Sequence, residues 1–479
     1  MENQKTIPIW QVLLVLVFLV VTLSFTILSL DGWVHIPLVL TAVVATVVAV
    51  ANGYKWTYIE NGIITTITRS MQAILILLTV GMLIGTWIIS GIVPSMIFYG
   101  LKLLSPGIFL VATCLICAIV SLSTGSSWTT AATVGIALIG VGAGLGVPLP
   151  VAAGAIISGA YFGDKMSPLS DTTNLAPAMA GAKLFDHVKH MIFTTGPSLI
   201  IALIIFGILG TRYAGQELDY TVIQELLDGL SSAFYISPIL LIPPILVILM
   251  VVFKVPALPG LIGGVVLGGI FAMLFQGTPL GDLFYVTYEG YKPALENDFL
   301  NSLLERGGLE SMYYTVSLIL CALTMGGVMD QTGMLKSLAE KLMKLAVNTG
   351  SLVVVTVVSC IFTNVVAGDQ YLSLVVPGRM YKEIFEDRRL KPKNLSRILE
   401  DSGTLSSPLI PWNTCGSYMH GVLGIHPFAY LPYAFLNLLN PLVSIFYGFT
   451  GITMEKMSEE EYQAILKDRE AAKAAAINS

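Results

Sequence analysis

The stretch GDKMSPLSDTTN, residues 163 to 174, interrupts an apolar region of the sequence. It places two aspartates, a lysine and a proline in a chain of which 55% of the residues are hydrophobic and 11% are charged. Pro168 has no amide donor and disfavours helix just before it, so we expect the helix that enters from Val151 to open near Ser167. Unwound backbone at membrane depth is tolerated only where it is buried in protein or lines a wet cavity. The stretch therefore predicts an interrupted membrane helix beside a polar cavity.

The composition around this break is typical of a polytopic membrane protein with 479 residues and a mean hydropathy of +0.80. Five scattered cysteines favour reduced, structural thiols, and the net charge of -5 gives no indication of a nucleic-acid partner. Short amphipathic segments at 93–104, 217–232, 282–310 and 335–347 are expected at the membrane interface. Fourteen apolar stretches are candidate spans: 8–30, 34–52, 71–91, 107–124, 129–146, 150–183, 190–212, 236–254, 256–275, 312–332, 350–367, 369–387, 398–424 and 427–450.

Two regions of the chain resemble each other. GIFLVATCLICAIVSLSTGSSW (107–128) aligns without a gap with GSLVVVTVVSCIFTNVVAGDQY (350–371), and Ser-Pro-Leu follows in both, at 167–169 and at 407–409. We therefore predict an all-α polytopic membrane protein built from two repeats with interrupted or re-entrant helices. The predicted parts are a first transmembrane repeat (1–232), a second (233–453) and a cytoplasmic tail (454–479).

The distribution of positive charge predicts opposite orientations for the two repeats. The segment 379–397 contains seven Lys or Arg residues, whereas its counterpart near 138–157 has no charged residue. Cytoplasmic loops are enriched in Lys and Arg, so counterpart loops are expected on opposite sides of the membrane. With seven crossings in each repeat, the second repeat is inverted and both termini lie in the cytoplasm. Inverted repeats with matched polar breaks are typical of secondary transporters.

The first break supplies candidate ligands for a cation. Asp164 and Asp171 carry charge, and an unwound centre lets Ser167, Thr172 and Asn174 turn their oxygens inward. Hard cations prefer carboxylate, carbonyl and hydroxyl oxygens together. The alternative is an ordinary cytoplasmic loop with a solvated Asp and Lys pair and a Ser-Pro turn.

The second break argues against that loop. EDSGTLSSPLIPWNT (400–414) again places an aspartate, Asp401, before Ser-Pro-Leu and an asparagine, Asn413, after it. Asp171 has no acidic counterpart, so the two breaks are not chemically equivalent. Lys165 either neutralises Asp164 in the absence of a cation or reaches the cytoplasmic surface.

A second matched pair lies at the ends of the aligned spans. SLSTGSSWTT (121–130) includes Thr124, Ser126 and Ser127, and TNVVAGDQY (363–371) includes Asn364 and Asp369. Close helix packing explains small residues equally well. A carboxylate within a span is expensive and is a functional candidate by default, so we predict that Asp369 contributes to the site together with Asp164 and Asp171, and that these three hold a cation. Asp330, by contrast, is expected at the interface.

The signature GDKMSPLSDTTNLAP (163–177), preceded by STGSSWTTAATVG (123–135) and followed in the second half by GDQYLSLVVPGRMY (368–381), resembles the NhaC family of sodium/proton antiporters. The resemblance implies exchange of sodium for protons in the bacterial inner membrane, so the cation that Asp164, Asp171 and Asp369 are expected to hold is sodium. It maps onto Asp164, Ser167, Asp171, Thr172 and Asn174, whereas Asp369 and Asp401 depend on the repeat argument. Related members exchange malate with protons for lactate with sodium.

Three functions remain open: a sodium/proton antiporter, an organic-acid exchanger coupled to the same ions, and a channel. Paired breaks in inverted repeats favour alternating access over a continuous pore. The sequence has no Walker loop, HExxH motif or nucleophile elbow in a usable context, so we predict no enzyme and no cofactor beyond the transported sodium and protons. The expected partners are those ions, malate or lactate in the second case, and the lipid bilayer; a homodimer is a candidate assembly.

Overall fold

The first half of the chain folds into helices joined by short turns. The computed structural model describes residues 7–30, 32–214, 220–295 and 297–477, and it contains no β-strand within those residues. The predicted interfacial segment 217–232 therefore begins outside the described residues. The helices of this half are α1 Ile9–Ser29, α2 His35–Ala51, α3 Trp56–Arg69, α4 Met71–Ile89, α5 Ile92–Leu103, α6 Pro106–Thr124, α7 Ser127–Thr130, α8 Ile136–Gly144, α9 Leu149–Met166, α10 Asp171–Ala180, α11 Leu184–Ala214 and α12 Tyr220–Ala233.

The second half is helical in the same way and contains one break of each matched pair. π-Helical turns occur at Ala131–Gly135 in the first half and at Glu400–Thr404 in the second. The helices of the second half are α13 Ile242–Val252, α14 Ala257–Phe275, α15 Leu280–Glu289, α16 Asp298–Leu304, α17 Tyr313–Gln331, α18 Met334–Met343, α19 Thr349–Ala367, α20 Gln370–Asp387, α21 Pro392–Leu399, α22 Thr414–Leu423, α23 Pro427–Tyr430, α24 Phe435–Thr450 and α25 Glu459–Ile477.

The two halves end and begin their helices in the same way at the first pair of breaks. α6 is closed by Gly125 and α19 by Gly368, with φ of 69° and 64°. Glycine adopts this left-handed conformation without the steric cost that a side chain would add. Ser126 and Asp369 follow, and each caps the next helix by accepting a hydrogen bond from a backbone amide three residues further on.

The second pair of breaks repeats as well. Each is followed by a ten-residue helix, α10 and α22, and the two helices end at Gly181 and Gly424, with φ of 79° and 73°. This shared order is what a duplication of the chain predicts. The inverted orientation of the repeats and their boundaries at 1–232, 233–453 and 454–479 stay predictions.

Eight helices of the described residues are long and apolar enough to cross a membrane, or ten if two bent helix pairs each count as one span. The sequence predicts fourteen. The difference arises because several apolar stretches are broken or short: the stretch 150–183 is divided into α9 and α10, and α2 has only 17 residues. The segment 93–104, expected at the interface, largely coincides with α5, and six of the twelve residues of α5 are buried in the protein.

The contact between α6 and α9 positions the first break. At Gly159 an added Cβ atom would lie 2.1 Å from the carbonyl oxygen of Cys114, and at Gly163 it would lie 2.3 Å from the amide nitrogen of Leu122. Only glycine allows the two backbones to approach this closely. Ser121 joins the same contact, because its hydroxyl donates to the carbonyl of Ala160 at 2.5 Å. The small residues of this region therefore pack helices together.

Candidate ion-binding site

A polar cavity of about 940 Å³ lies where residues of both halves meet. The first half contributes Asp164 and Asp171, and the second half contributes Asp369. Three further site candidates from the sequence also line it, namely Thr124, Ser126 and Thr172. The cavity thus brings together the ends of α6 and α9 with the beginnings of α10 and α20.

Asp164 lies on the last turn of α9, and its side chain is almost fully buried. The hydroxyl of Ser127 donates a hydrogen bond of 2.6 Å to its carboxylate. α9 ends at Met166, and Ser167 adopts an extended conformation, as Pro168 predicts. The hydroxyl of Thr173 donates to the carbonyl of Lys165 at 2.9 Å, so the first turn of α10 satisfies part of the backbone that the break leaves open.

Asp369 is the N-cap of α20 and is 5% exposed. One carboxylate oxygen accepts from the amide of Leu372 at 2.9 Å, and the other accepts from the hydroxyl of Ser70 at 3.0 Å. Each carboxylate oxygen has two lone pairs, so both can still face a cation. Ser70 lies between α3 and α4, which shows that the first half helps to hold the carboxylate of the second.

Asp171 is the most exposed of the three carboxylates and begins α10. The hydroxyl of Tyr371 lies 3.4 Å from its carboxylate and donates to it across the cavity. Within the described residues, the three aspartates line one cavity but do not form a compact group of three acidic ligands. A cation in this cavity would therefore complete its coordination with hydroxyls, carbonyls or water.

Two of the predicted ligands stabilise the break and do not line the cavity. Ser167 is buried, and its hydroxyl accepts from the amide of Leu169 at 3.3 Å. Asn174 is exposed, and its side-chain amide donates to the carbonyls of Pro168 and Ser170 at 2.9 and 2.7 Å. These contacts fix the shape of the unwound segment.

Asn364 and Asn413 lie behind the cavity wall and contact each other. The side-chain amide of Asn413 donates to the side-chain oxygen of Asn364 at 3.0 Å, and that of Asn364 donates to the carbonyl of Gly403 at 2.6 Å. Asn413 also caps α22. The pair joins α19 to the second break, and both side chains are fully buried.

Asp401 also lies away from the cavity, in an ion pair with Lys165. Both side chains are fully buried, and Thr194 donates a further hydrogen bond to Asp401 at 2.9 Å. Lys165 therefore neither pairs with Asp164 nor reaches the surface, the two alternatives that the sequence leaves open. Asp330, expected at the interface, is partly exposed and lies 3.9 Å from Arg69.

Several lining residues are not among the site residues predicted from the sequence. The cationic side chains of Arg69, Lys254 and Arg379 line the cavity, as does Gln370. Gln370 is 7% exposed, its oxygen accepts from the thiol of Cys415 at 2.9 Å, and its side-chain nitrogen makes no hydrogen bond to a described residue. Gln370, Tyr371 and Arg379 stand within the quoted motif 368–381 and could have been found there. Arg69 ends α3 and Lys254 lies in the turn after α13, outside the quoted motifs.

The fold and the cavity define the class of this protein. It is a polytopic helical membrane protein whose charged cavity is built on broken helices, an arrangement typical of secondary transporters.

Comparisons with known proteins give the family. A family model described as Na+/H+ antiporter family matches residues 159–452. The chain is 39% identical over 95% of its length to the Na(+)/H(+) antiporter NhaC of Alkalihalophilus pseudofirmus, of which 98% is covered. It is 37% identical over 94% of its length to a malate-2H(+)/Na(+)-lactate antiporter of Bacillus subtilis, of which 96% is covered, and 36% identical over 85% to the arginine/ornithine antiporter ArcD of Halobacterium salinarum, of which 85% is covered. The chain belongs to the Na+/H+ antiporter family.

Proposed function

We propose that this protein exchanges sodium for protons across the bacterial inner membrane by alternating access, with both termini in the cytoplasm. The observation that carries the proposal is the cavity in which Asp164 and Asp369, one from each half, lie beside broken helices. The family model that matches the chain is described as Na+/H+ antiporter family, and this description supports sodium and protons as the exchanged ions.

The exchange follows from the chemistry of the two carboxylates. An ionised aspartate attracts a cation, whereas a protonated one does not, so sodium and protons compete for Asp164 and Asp369. Near Asp164 the hydroxyls of Thr124 and Ser126 also line the cavity and offer oxygen ligands. Sodium that enters from one side displaces a proton, and the carrier returns protonated after sodium leaves on the other side. No separate cofactor is needed for this cycle.

The location of the cavity between the halves supports alternating access. Contacts across it join the halves, including the hydrogen bond from Ser70 to Asp369 and that from Tyr371 to Asp171. A movement of one half against the other would break or form these contacts while each carboxylate stays on its own helix. Transporters built from inverted repeats use such movements to expose a central site first to one side of the membrane and then to the other.

A second candidate function is exchange of an organic carboxylate together with the same ions. A cavity of about 940 Å³ is far larger than one sodium ion needs, and three cationic side chains line it: Arg69, Lys254 and Arg379. The beginnings of α10 and α20 also face it, and helix N-termini favour anions. One relative of similar length is named for malate and lactate.

Transport by the purified protein in liposomes tests both candidates. An imposed sodium gradient should move protons in the opposite direction without any organic acid present. Addition of malate on one side and lactate on the other should leave the rate unchanged. A rate that depends on malate or lactate would favour the second candidate, and no sodium-driven proton movement under any of these conditions would contradict both.

A further inference from the structure

Gln370 is a buried polar residue of the cavity wall that the proposed exchange does not use. It is the first residue of α20, directly after the N-cap Asp369, and it is 7% exposed. Its side-chain oxygen accepts a hydrogen bond from the thiol of Cys415 at 2.9 Å, whereas its side-chain nitrogen is buried and makes no hydrogen bond to a described residue. A buried amide nitrogen without a partner is destabilising. A role in binding an ion is one explanation for such a group in the wall of a cavity.

The amide of Gln370 can exchange its two ends and keep a hydrogen bond to Cys415. A thiol is both a weak donor and a weak acceptor. In the structure, the sulfur of Cys415 donates to the oxygen of Gln370. If the amide turns by half a revolution, its nitrogen donates to the sulfur, and its oxygen takes the place of the nitrogen that has no partner. Only the oxygen end of an amide is a ligand for a hard cation.

Contacts between two broken regions bring other oxygen ligands close to Gln370. The backbone amide of Thr414 donates to the carbonyl of Gly368 at 2.9 Å, and the residue after Thr414 is Cys415, which bonds to Gln370. Asp369 and Thr414 line the same cavity as Gln370. Each carboxylate oxygen of Asp369 accepts one hydrogen bond and retains a lone pair. This part of the cavity therefore combines one negative charge with neutral oxygens, a set of ligands that suits a hard cation.

The residue that corresponds to Gln370 in the first half contacts a carboxylate of the cavity. In the alignment of 107–128 with 350–371, that residue is Ser127, and both residues begin a helix directly after its N-cap. The hydroxyl of Ser127 donates to the carboxylate of Asp164 at 2.6 Å. The first residue of the helix thus contacts a candidate cation ligand in the first half, and Gln370 occupies the matching position beside Asp369 in the second.

We propose that Gln370 binds the transported sodium ion through its side-chain oxygen, together with Asp369, and that the thiol of Cys415 holds the amide in both orientations. Without sodium, the thiol donates to the amide oxygen. When sodium binds, the amide turns, its oxygen coordinates the ion and its nitrogen donates to the sulfur. Gln370 is then a cation ligand and Cys415 a positioning residue. This inference rests on the proposed sodium/proton exchange.

Calorimetric titration of the full-length protein with sodium at a single pH tests whether Gln370 is a ligand. Gln370→Met keeps the length of the side chain and removes both polar atoms of the amide, so its sodium dissociation constant should rise about tenfold. Gln72→Met is the matched control, because Gln72 lines the same cavity but is exposed. Its dissociation constant should equal that of the wild type. An unchanged dissociation constant in Gln370→Met would overturn the inference.

Thermal unfolding distinguishes a ligand from a residue with a structural role alone. Without sodium, Gln370→Met should be at least as stable as the wild type, because the loss of a weak thiol hydrogen bond is offset by removal of a buried nitrogen without a partner. Sodium should raise the unfolding temperature of the wild type and of Gln72→Met by more than that of Gln370→Met. The inference would be overturned if Gln370→Met were less stable than the wild type without sodium and gained as much stability from sodium.

Infrared difference spectra cover the case in which Gln370→Met does not fold. In the wild type, the S–H stretching band of Cys415 should shift when sodium is added, because the thiol stops donating to Gln370 and accepts from it instead. The band is assigned by its loss in Cys415→Ala. Absence of a shift in wild-type protein that binds sodium would also overturn the inference. Failure of the proposed function is a different result, because the wild type itself would then bind no sodium in the calorimeter.

Discussion

Lys165 of the first half forms an ion pair with Asp401 of the second half, and neither side chain is exposed to solvent. Asp164, the residue before Lys165, faces the cavity instead. At the end of α9, Lys165 therefore binds the second half, and the preceding residue, Asp164, presents its carboxylate to ions in the cavity. This arrangement gives Asp401 a structural partner and leaves Asp164 available for transport.

Asp401→Asn should destabilise the protein. It would leave Lys165 charged and buried without its counter-ion, a change that costs about 3–5 kcal/mol in other proteins. Thermal unfolding in detergent measures the effect. The double variant Lys165→Met with Asp401→Asn should recover much of the loss, because no unpaired charge remains. Wild-type stability of Asp401→Asn would show that the pair is not maintained in the membrane protein.

Asp164→Asn and Asp369→Asn should abolish or greatly weaken sodium-driven proton movement while the protein still inserts. Neither change adds charge to the membrane region, so insertion has no reason to suffer. Asp330→Asn is the control, since Asp330 is partly exposed and does not line the cavity. Transport and the amount of protein in the membrane are measured together in liposomes. Near-normal transport by both cavity variants would refute the site.

Gly159→Ala should lower the stability by about 1–3 kcal/mol, because the added methyl group would meet the backbone of α6 at Cys114. Gly196→Ala in α11 is the matched control, since a Cβ atom there has no neighbour within 4 Å. That variant should be as stable as the wild type or slightly more stable, as expected for alanine in a helix. Thermal unfolding of the two variants compares them directly. Equal stability of both would contradict the close contact of α6 and α9.

Acidification should loosen the segment that leads into the C-terminal helix. Lys393 lies 2.6 Å from Glu455 and holds the pKa of that carboxyl below its usual value. The ionised Glu455 stabilises the folded segment fully at pH values above its ordinary pKa of 4.5. This stabilisation is lost as the pH falls through the lowered pKa of the folded state. Limited proteolysis of the tail as a function of pH follows this loss. Glu455→Gln should be cleaved equally fast at neutral and acidic pH, whereas the wild type should not.

The sequence predicted the breaks better than the arrangement around them. Pro168 and the glycine at 125 have strong local preferences, and α9 and α6 end at those positions. The partner of Lys165 could not be predicted, because it depends on how α9 packs against a turn more than 200 residues later. Asn364 and Asn413 look like ligands by position, but their side chains satisfy each other. Tertiary contacts decide such roles, and a single sequence contains no record of them.

The dependence of sodium affinity on pH tests the central claim most directly. Calorimetric titration of the wild type with sodium, repeated between about pH 6 and about pH 9, gives the dissociation constant at each pH. Because protons and sodium compete for the cavity carboxylates, acidification should weaken sodium binding by up to about tenfold per pH unit for each coupled proton, and binding should release protons. A dissociation constant that stays constant over this range, with no protons released, would contradict the claim that Asp164 and Asp369 exchange sodium for protons.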